Sequence, residues 1–406
     1  MTLLPLPLPG RAAAEEFVDR YMAHLVCDAV GGSRSFTGGQ TTADAALAAF
    51  DVTGYSSRRN EVQPVSRRGA SRLSPFIRHG LLSLPEVWDR VASGPLRDVE
   101  KFRDELLWQE FARHWYARLG TRTRRGIRRD PTVSARAGNE GWSRRLACVD
   151  GALDELEGDG WLVNQTRMWL AGHWTVREGM NWVDGEDLFF RHLLDGSRAA
   201  NRLGWQWVTG AGSSKPYGLS RRQVERRAPG VCATCELRNN CPIEDWPPDP
   251  IFEPVERIDL VRRDPTPGVT AGPTAVVRHA PPSAVWLTAE SLGRRDPALA
   301  HHPELPVVFV FDEPLLASLR LSSKRLVFLT ETLAELAVDR DLEIWLGDPV
   351  EVLRHRPLAV TFAPVPGFGR RVERLQIAEV HPWPWLRRPT SGPIGSFSAW
   401  RRSLER

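Results

Sequence analysis

The 406-residue chain has few cysteines and no long apolar run, and both shortages exclude classes of protein. No apolar run reaches the roughly 18 residues that a membrane span needs, so we expect no transmembrane helix and no membrane partner. Five cysteines, an odd number, argue against a disulfide framework. The first residues combine neither a charged start nor a small-residue cleavage site, so no secretory signal is predicted. We therefore expect a cytoplasmic protein.

Lysine is also scarce, so the positive charge is carried almost wholly by arginine. Lysine occurs only at Lys101, Lys215 and Lys324, whereas lysine and arginine together number 54. The arginines cluster in two runs, at 122–129 and 221–227. The forked guanidinium group of arginine binds DNA phosphates well, so these runs could contact DNA. Runs of arginine also occur on helix faces that are simply exposed to solvent. The net charge of +4 does not decide between these two interpretations.

The length predicts two domains, because one compact core rarely serves so many residues. Residues 1–246 are predicted to be helical, since apolar residues recur there at three- and four-residue spacing. The clearest predicted helices span residues 40–50, 84–92, 96–119, 148–158 and 163–177.

The sequence changes character after residue 246. Residues 247–282 are rich in proline and lack periodicity, which predicts a linker. Residues 283–406 alternate strand-like and helix-like runs, so we predict a small parallel α/β sheet of the Rossmann-like kind. Its predicted strands are 284–287, 307–311, 342–346 and 360–362, and its predicted helices include 325–337 and 369–378.

The most informative residues are two tryptophans, Trp205 and Trp207, that follow Asp195 and Asn201 closely. Paired indoles bring large rings that must be buried or stacked. Upstream, the segment at 164–168 reads Asn-Gln-Thr-Arg-Met, and Glu105 lies one helical turn from Trp108. This combination resembles the flavin-binding helical domain of the photolyase/cryptochrome family. The resemblance implies an all-α FAD-binding domain followed by a small α/β domain.

The resemblance implies that the helical part binds FAD. A phosphate cradle would form just ahead of a helix, and Arg167 would pair with Asp195 beside the flavin ring. The chain departs from the family pattern at three positions. Ser197 stands where the family carries a second acid, Gln109 where it carries arginine, and Ala70 where it carries threonine. The implied cofactor-binding residues are Tyr55, Ser71, Arg72, Leu73, Ser74, Asn164, Arg167, Asp195 and Asn201.

The resemblance also implies a substrate pocket and an electron path. Glu105 would hydrogen-bond a damaged base, Trp108 and Trp207 would stack on it, and Asn164 and Met168 would complete the wall. Trp205 and Trp182 would be the first two steps of electron transfer to the flavin. A third step stays open among Trp142, Trp169 and Trp174.

Four of the five cysteines have the pattern of a metal cluster. Cys232, Cys235 and Cys241 form a compact triad, and a proline follows the last, as is common for iron–sulfur ligands. The bacterial iron–sulfur branch of the family carries a ligand cysteine where Cys148 stands. We expect a 4Fe-4S cluster on these four residues, with zinc as the alternative, and Cys27 as a bystander.

The second half resembles the antenna domain of the same family, shortened and placed last instead of first. The resemblance therefore implies a circularly permuted order: a catalytic domain at 1–246, a linker at 247–282 and an antenna-type domain at 283–406. The presence and identity of an antenna chromophore stay open.

The resemblance implies a light-driven DNA repair enzyme, a deoxyribodipyrimidine photolyase-like lyase that acts on UV-damaged DNA as a monomer. Val163 and Asn164 resemble the enzymes that split cyclobutane dimers, whereas the iron–sulfur branch commonly repairs (6-4) lesions, so the lesion stays open. One alternative is a cryptochrome-type blue-light photoreceptor. Another is a photochemically inert iron–sulfur DNA-binding protein on a decayed photolyase frame.

Overall fold

The computed structural model describes residues 1–132 and 141–404, and the part before residue 246 is mainly helical. Two short strands, β1 (Thr2–Leu4) and β2 (Arg129–Pro131), accompany these helices. The helices, in chain order, are α1 (Arg11–Met22), α2 (Gln40–Ala49), α3 (Tyr55–Arg58), α4 (Ser74–Arg78), α5 (Leu84–Arg90), α6 (Leu96–Leu119), α7 (Ala147–Asp159), α8 (Asn164–Gly172), α9 (Trp182–His192), α10 (Arg198–Thr209) and α11 (Arg221–Arg227).

Helix α6 is the centre of the helical part, where it contacts α3, α5 and α10. Its 24 residues coincide with the predicted helix, and its buried side chains recur at helical spacing, as at Val99, Phe102 and Leu106. It ends at Gly120, whose φ of 56° suits glycine. The other four predicted helices are also present, although the last divides into α8 and a π-helical turn, His173–Arg177.

Strands and helices alternate after residue 246. The strands are β3 (Phe252–Pro254), β4 (Val277–Arg278), β5 (Ala284–Leu287), β6 (Val307–Asp312), β7 (Leu342–Gly347), β8 (Leu358–Thr361) and β9 (Ile377–His381). The helices are α12 (Pro267–Ala271), α13 (Pro297–His301), α14 (Glu313–Leu319), α15 (Ser323–Asp339), α16 (Pro349–Leu353), α17 (Pro366–Val372) and α18 (Phe397–Leu404). No described helix combines the length and the apolarity required to span a bilayer.

The main sheet has seven strands in the order β1-β7-β6-β5-β8-β9-β4. Its five inner strands are parallel, and the outer strands β1 and β4 are antiparallel to their neighbours. Strand β6 is buried along nearly its whole length, as expected for a parallel strand that is covered on both faces. The predicted parallel sheet is therefore present, but it lies within a larger mixed sheet.

Two parts of the sheet differ from the prediction. The helix predicted over residues 369–378 is wrong in its second half, because α17 ends at Val372 and β9 begins at Ile377. Pairing of β9 with β8 outweighs the local helical pattern there. The first part of the chain is also not entirely helical, because Thr2 of β1 lies opposite Leu346 of β7.

The predicted linker, residues 247–282, is tied to the helical part. Strand β3 pairs with β2, and α12 packs on α6. Asp264 is buried and forms an ion pair with Arg118 of α6, whose Nε lies 3.3 Å from the Asp264 Oδ2. The domain boundaries at 246 and 283 stay a prediction, and residues 405–406 of the predicted second domain lie outside the described residues.

Helix α18 returns to the helical part and packs against α6. The Trp400 ring lies 5.4 Å from that of Phe111, and the Trp400 Nε1 donates to His114 Nδ1 at 3.0 Å. His114 Nε2 in turn donates to the Arg387 carbonyl at 2.6 Å. These two bonds require the neutral ring, and burial lowers the pKa of His114 to about 3.

Acid should therefore destabilise the contact between α6 and α18. The folded pKa of His114, about 3, lies below the usual value of about 6.5, so only the unfolded chain takes up the proton readily. The contribution to stability is complete above about pH 6.5 and is lost as the pH falls towards 3. Between pH 7.5 and 5, His114 should lower the free energy of unfolding by about 2 kcal/mol. Urea unfolding followed by tryptophan fluorescence measures this loss.

The control for this prediction is His114→Gln, which cannot titrate. This variant should be less stable than the wild type at neutral pH. Between pH 7.5 and 5, however, its free energy of unfolding should fall by about 2 kcal/mol less than that of the wild type. An identical pH slope in the two proteins would contradict the assignment.

Candidate functional site

A cavity of about 950 Å³ lies where helices α6, α8 and α10 face the carboxyl ends of strands β5, β6 and β8. Ligands of α/β sheets commonly bind at this end of parallel strands. Of the predicted cofactor and substrate residues, Leu73 does not line the cavity, because its side chain is buried in the core. The predicted residues that do line it are Tyr55, Ser71, Arg72, Ser74, Glu105, Trp108, Asn164, Arg167, Met168, Asp195, Asn201, Trp205 and Trp207.

An ion pair between α8 and the turn after α9 forms the polar end of the cavity. Arg167 Nη2 lies 2.7 Å from Asp195 Oδ2, and Arg167 Nε donates to the Leu162 carbonyl at 3.0 Å. Asn201 lies one turn into α10 and lines the same cavity. The predicted contact between Arg167 and Asp195 is thus present.

Two buried polar atoms at this end lack a partner. The Asp195 Oδ1 and the Asn201 Nδ2 make no hydrogen bond within the described part of the chain, although both side chains are more than nine-tenths buried. An unsatisfied buried polar group costs about 1–3 kcal/mol, so such atoms need a partner. A flat heterocycle that offers both a donor and an acceptor would satisfy them.

The predicted phosphate cradle lies at the start of α4. The Ser74 Oγ accepts from Trp161 Nε1 at 3.0 Å. Arg72 has a φ of 60°, which is strained for a residue with a side chain, and its guanidinium lies 5.1 Å from the Trp161 ring. Ser71 and Ser74 present hydroxyl groups to the cavity.

Glu105 and Trp108 form a second wall, on α6. The Glu105 carboxylate is held by Lys101 Nζ at 2.9 Å and Arg59 Nε at 3.4 Å. Trp108 lines the cavity and also stacks on Phe397 of α18, with ring centroids 3.9 Å apart and planes 12° apart. Phe397 itself does not line the cavity, so it supports the indole from outside. No sequence pattern linked Phe397 to Trp108.

Residues of α8 and α10 also line the cavity. The Asn164 Nδ2 contacts the Met168 Sδ at 3.6 Å, which places both side chains on one face of α8. Trp207 is 42% exposed, a large value for an indole, and its ring lies 6.3 Å from that of Tyr217. Trp207 is therefore available to stack on a ligand.

Two tryptophans lie close to Trp205, the predicted first step of the electron path, and the role of Trp182 as the second step stays a prediction. Trp205 lines the cavity, and its ring lies 6.4 Å from Trp142, which lies 4.8 Å from Trp174. Trp182 is buried at the start of α9, and Trp174 Nε1 donates to the carbonyl of the preceding residue, Asn181. Ring contacts among the described residues thus connect Trp205 to Trp142 and Trp174, two of the three residues considered for the last step.

Sequence reasoning missed Arg325, which reaches the cavity from α15. Its Nη2 donates to the Phe190 carbonyl at 2.7 Å and its Nε to the Leu193 carbonyl at 3.0 Å. Burial and the neighbouring Arg78 lower the pKa of Arg325 to about 9. Nothing in the local sequence could have identified this residue, because it lies more than 120 positions from its partners.

The four predicted cluster cysteines converge. Cys148, Cys232, Cys235 and Cys241 line one small cavity, whereas Cys27 lies beside Asp28, away from it. Burial and the three other cysteines raise the pKa of the Cys148 thiol to about 12. Such a thiol becomes a thiolate at neutral pH only when a cation compensates its charge.

The spacing of the sulfurs bears on the kind of metal group. Sulfurs on one tetrahedral zinc lie about 3.8 Å apart, given Zn–S bonds near 2.3 Å. Within the described ranges, no three of the four Sγ atoms are mutually within 4.8 Å. The four thiols are therefore not already arranged as compactly as the ligands of one zinc ion, and the kind of metal group stays a prediction.

The helical part matches a known class of domain. Residues 102–222, less than half of the chain, match the family model described as the FAD binding domain of DNA photolyase. A segment of 192 residues is 33% identical to the deoxyribodipyrimidine photo-lyase of Thermus thermophilus. The matched segment covers 44% of each protein. The corresponding enzyme of Synechococcus is 28% identical over 262 residues, which are 59% of this chain and 51% of that protein. These findings support the photolyase/cryptochrome family for the helical part.

The likeness to solved structures is lower. A class III photolyase from Agrobacterium tumefaciens is 24% identical over 54% of this chain and 46% of its own, with a TM-score of 0.43. A cryptochrome from Synechocystis is 20% identical over 49% of this chain and 45% of its own, with a TM-score of 0.40. Values at this level carry no further conclusion. The chain spans about half the length of the curated relatives that it matches.

The cavity residues fit FAD. The unsatisfied Asp195 Oδ1 can accept a hydrogen bond and the unsatisfied Asn201 Nδ2 can donate one, and a flavin ring edge offers the complementary groups. The hydroxyls of Ser71 and Ser74 lie in the same cavity and can donate to phosphate oxygens. The volume also suits a ligand of this size.

Removing the acceptor in the cavity should weaken flavin binding. We expect Asp195→Ala to bind FAD at least about tenfold more weakly, because a buried charge-assisted bond contributes about 1.5–3 kcal/mol and Arg167 loses its partner. Flavin fluorescence titration of the full chain measures the change. The exposed Asp184→Ala on α9 is the matched control and should bind as the wild type does. Equal affinities in both variants would contradict the assignment.

Proposed function

We propose that this protein is a light-driven DNA repair flavoprotein that splits UV-induced pyrimidine dimers. One observation carries the proposal: a single cavity is lined both by the unsatisfied Asp195 and Asn201 and by the indoles of Trp108 and the exposed Trp207. The polar end fits the flavin, and the aromatic end has room for a flat, paired base. The curated relatives are named as deoxyribodipyrimidine photo-lyases, which supports the same reaction class.

An arginine-rich loop, residues 122–129, borders the cavity through Arg124. The Gln206 side chain fastens this loop, because its Nε2 donates to the carbonyls of Thr123 and Arg125 at 3.0 and 2.9 Å. Its Oε1 accepts from the backbone of Ile127 at 2.9 Å. Since Gln206 precedes Trp207, the loop arginines can contact DNA phosphates while a flipped base enters the pocket.

Each wall has a task in the proposed reaction. Trp108 and Trp207 exclude water and stack on the dimer. Glu105 hydrogen-bonds the lesion, and its pairing with Lys101 and Arg59 keeps the carboxylate in place. Bound at the polar end, reduced FAD would supply one electron on excitation by light and take it back after the dimer opens. Asn164 and Met168 close the pocket from α8.

We propose further that the four converging cysteines bind a 4Fe-4S cluster with a structural role. Cys148 lies in the first turn of α7, whereas the other three follow α11, so the cluster would tie the end of the helical part to its core. The small cavity that all four cysteines line, and the proline that follows Cys241, support a metal group on these residues.

The α/β part is proposed as an antenna-type domain that follows the flavin domain, in a circularly permuted order. The carboxyl ends of β5, β6 and β8 line the same cavity as the proposed flavin residues. This arrangement would bring a second chromophore, if one binds at the sheet, close to the flavin.

The photoreceptor alternative is supported by the indoles close to Trp205. The chain of contacts from Trp205 through Trp142 to Trp174 leads away from the cavity and would serve light-driven flavin reduction in a cryptochrome as well. The two functions differ in whether the lesion walls are used.

Repair should be measured on oligonucleotides that contain either a cyclobutane dimer or a (6-4) lesion, under blue light and in the dark. We expect light-dependent restoration of one of them by the reduced holoprotein. Trp207→Ala should bind the lesion about tenfold more weakly, because a base stacked on an aromatic ring gains roughly 1–3 kcal/mol. Trp246→Ala, an equally exposed indole outside the cavity, is the matched control. Light-driven flavin reduction without repair of either lesion would contradict the proposal and favour the photoreceptor.

The cluster is tested separately from repair. The purified wild type should contain about four irons and four sulfides per chain and absorb broadly near about 400 nm. Cys148→Ser should lose most of this iron, because a ligand is missing, whereas Cys27→Ser should keep it. Metal analysis that finds one zinc per chain and no sulfide would contradict the cluster.

A further inference from the structure

Three imidazoles and one carboxylate meet at an edge of the seven-stranded sheet, away from the cavity and the cysteines. His301 is the last residue of α13 and His302 follows it, while Glu379 and His381 lie on β9. Ligand atoms of His301, His302 and Glu379 all lie within 4.8 Å of one another. The His381 Nε2 lies 3.2 Å from Glu379 Oε2.

The distances are close to those of a metal site. The His302 Nε2 lies 2.7 Å from Glu379 Oε2. Two ligands on one tetrahedral zinc lie about 3.3 Å apart, given bonds near 2.0–2.1 Å to nitrogen and oxygen. Shifts of roughly half an ångström would therefore admit the ion. Side-chain rotation can supply this, since His301 is exposed and His302 is half-buried.

The positively charged guanidinium of Arg278 lies against the cluster, where a metal cation would bind. Arg278 of β4 donates from Nε to Glu379 Oε1 at 3.0 Å and from Nη2 to His301 Nε2 at 2.8 Å. Because arginine can only donate, the His301 Nε2 must direct its lone pair at Arg278, so this nitrogen is unprotonated, as a metal ligand must be. The Arg278 side chain is 57% exposed, so it can move into solvent when an ion takes its place.

The burial of the remaining groups separates their roles. Glu379 and His381 are both buried, and the edge of the cluster at His301 faces solvent. A carboxylate that ligates a metal is commonly held by a hydrogen bond from a neighbouring group, and the buried His381 lies within hydrogen-bond distance of Glu379. His381 fits that role, and the exposed side leaves one position for water.

We propose that His301, His302 and Glu379 bind one divalent transition metal ion of the zinc type, with His381 as the residue that positions Glu379. Imidazole nitrogens and a carboxylate are the ligands that such ions prefer. The ion ties the end of α13 to β9 and so stabilises the edge of the sheet. This site is independent of the proposed repair function.

Equilibrium dialysis of the full chain against zinc tests the site. We expect the wild type to hold one more zinc per chain than His302→Ala, whose affinity at this site should fall at least about 100-fold, since loss of an orienting partner alone costs 10–100-fold. His355→Ala, an exposed histidine outside the cluster, is the matched control and should keep the wild-type count. The cysteines contribute equally to all three proteins, so the difference reports this site alone.

A second variant distinguishes a metal site from a hydrogen-bonded cluster, including the case in which His302→Ala does not fold. Arg278→Ala should bind zinc about tenfold more tightly, because the ion no longer displaces charge-assisted hydrogen bonds. Zinc should also raise the melting temperature of this variant more than that of the wild type. Equal zinc contents in wild type, His302→Ala and His355→Ala, or no gain in Arg278→Ala, would overturn the proposal.

Discussion

The buried guanidinium of Arg325 is the constraint on which the candidate site depends. It reaches from α15 to the carbonyls of Phe190 and Leu193 at the end of α9, and it therefore fixes the turn that carries Asp195. A buried charge is tolerated only when hydrogen bonds compensate its desolvation, so this turn cannot move without a large cost. A residue of the α/β part thus sets the position of the acid in the helical part, and the two parts build a single cavity.

That cavity combines two environments that need different support. At the polar end, Arg167 neutralises Asp195 in surroundings with little water, where an unpaired charge would be costly. At the aromatic end, Trp108 of α6 stacks on Phe397 of α18. Helix α18 therefore supports a wall of the cavity that α6 carries. Large flat groups next to a few fixed polar atoms suit a ligand that is itself flat and polar at one edge.

The sequence predicted those elements whose cause is local. Helix α6 was predicted to the residue because its apolar positions repeat every three or four residues over 24 positions. Strand β9 was missed because pairing with β8, a contact between distant segments, decided it against a helical pattern. Strand β1 was missed for the same reason, since Leu3 pairs with Trp345 from the far end of the chain. The ion pair of Arg167 with Asp195 followed from family resemblance, not from spacing.

By itself, the sequence determined the helices with strong periodicity and four of the five inner parallel strands, and through family resemblance it identified thirteen of the residues that line the cavity. Only the tertiary structure decided that Arg325 and Phe397 complete the site, that Trp142 lies beside Trp205, and that four side chains meet around Glu379. The physical reason is that propensity and periodicity act within a few turns of chain. Contacts between remote segments depend instead on packing and on the compensation of buried charge, which no local pattern records.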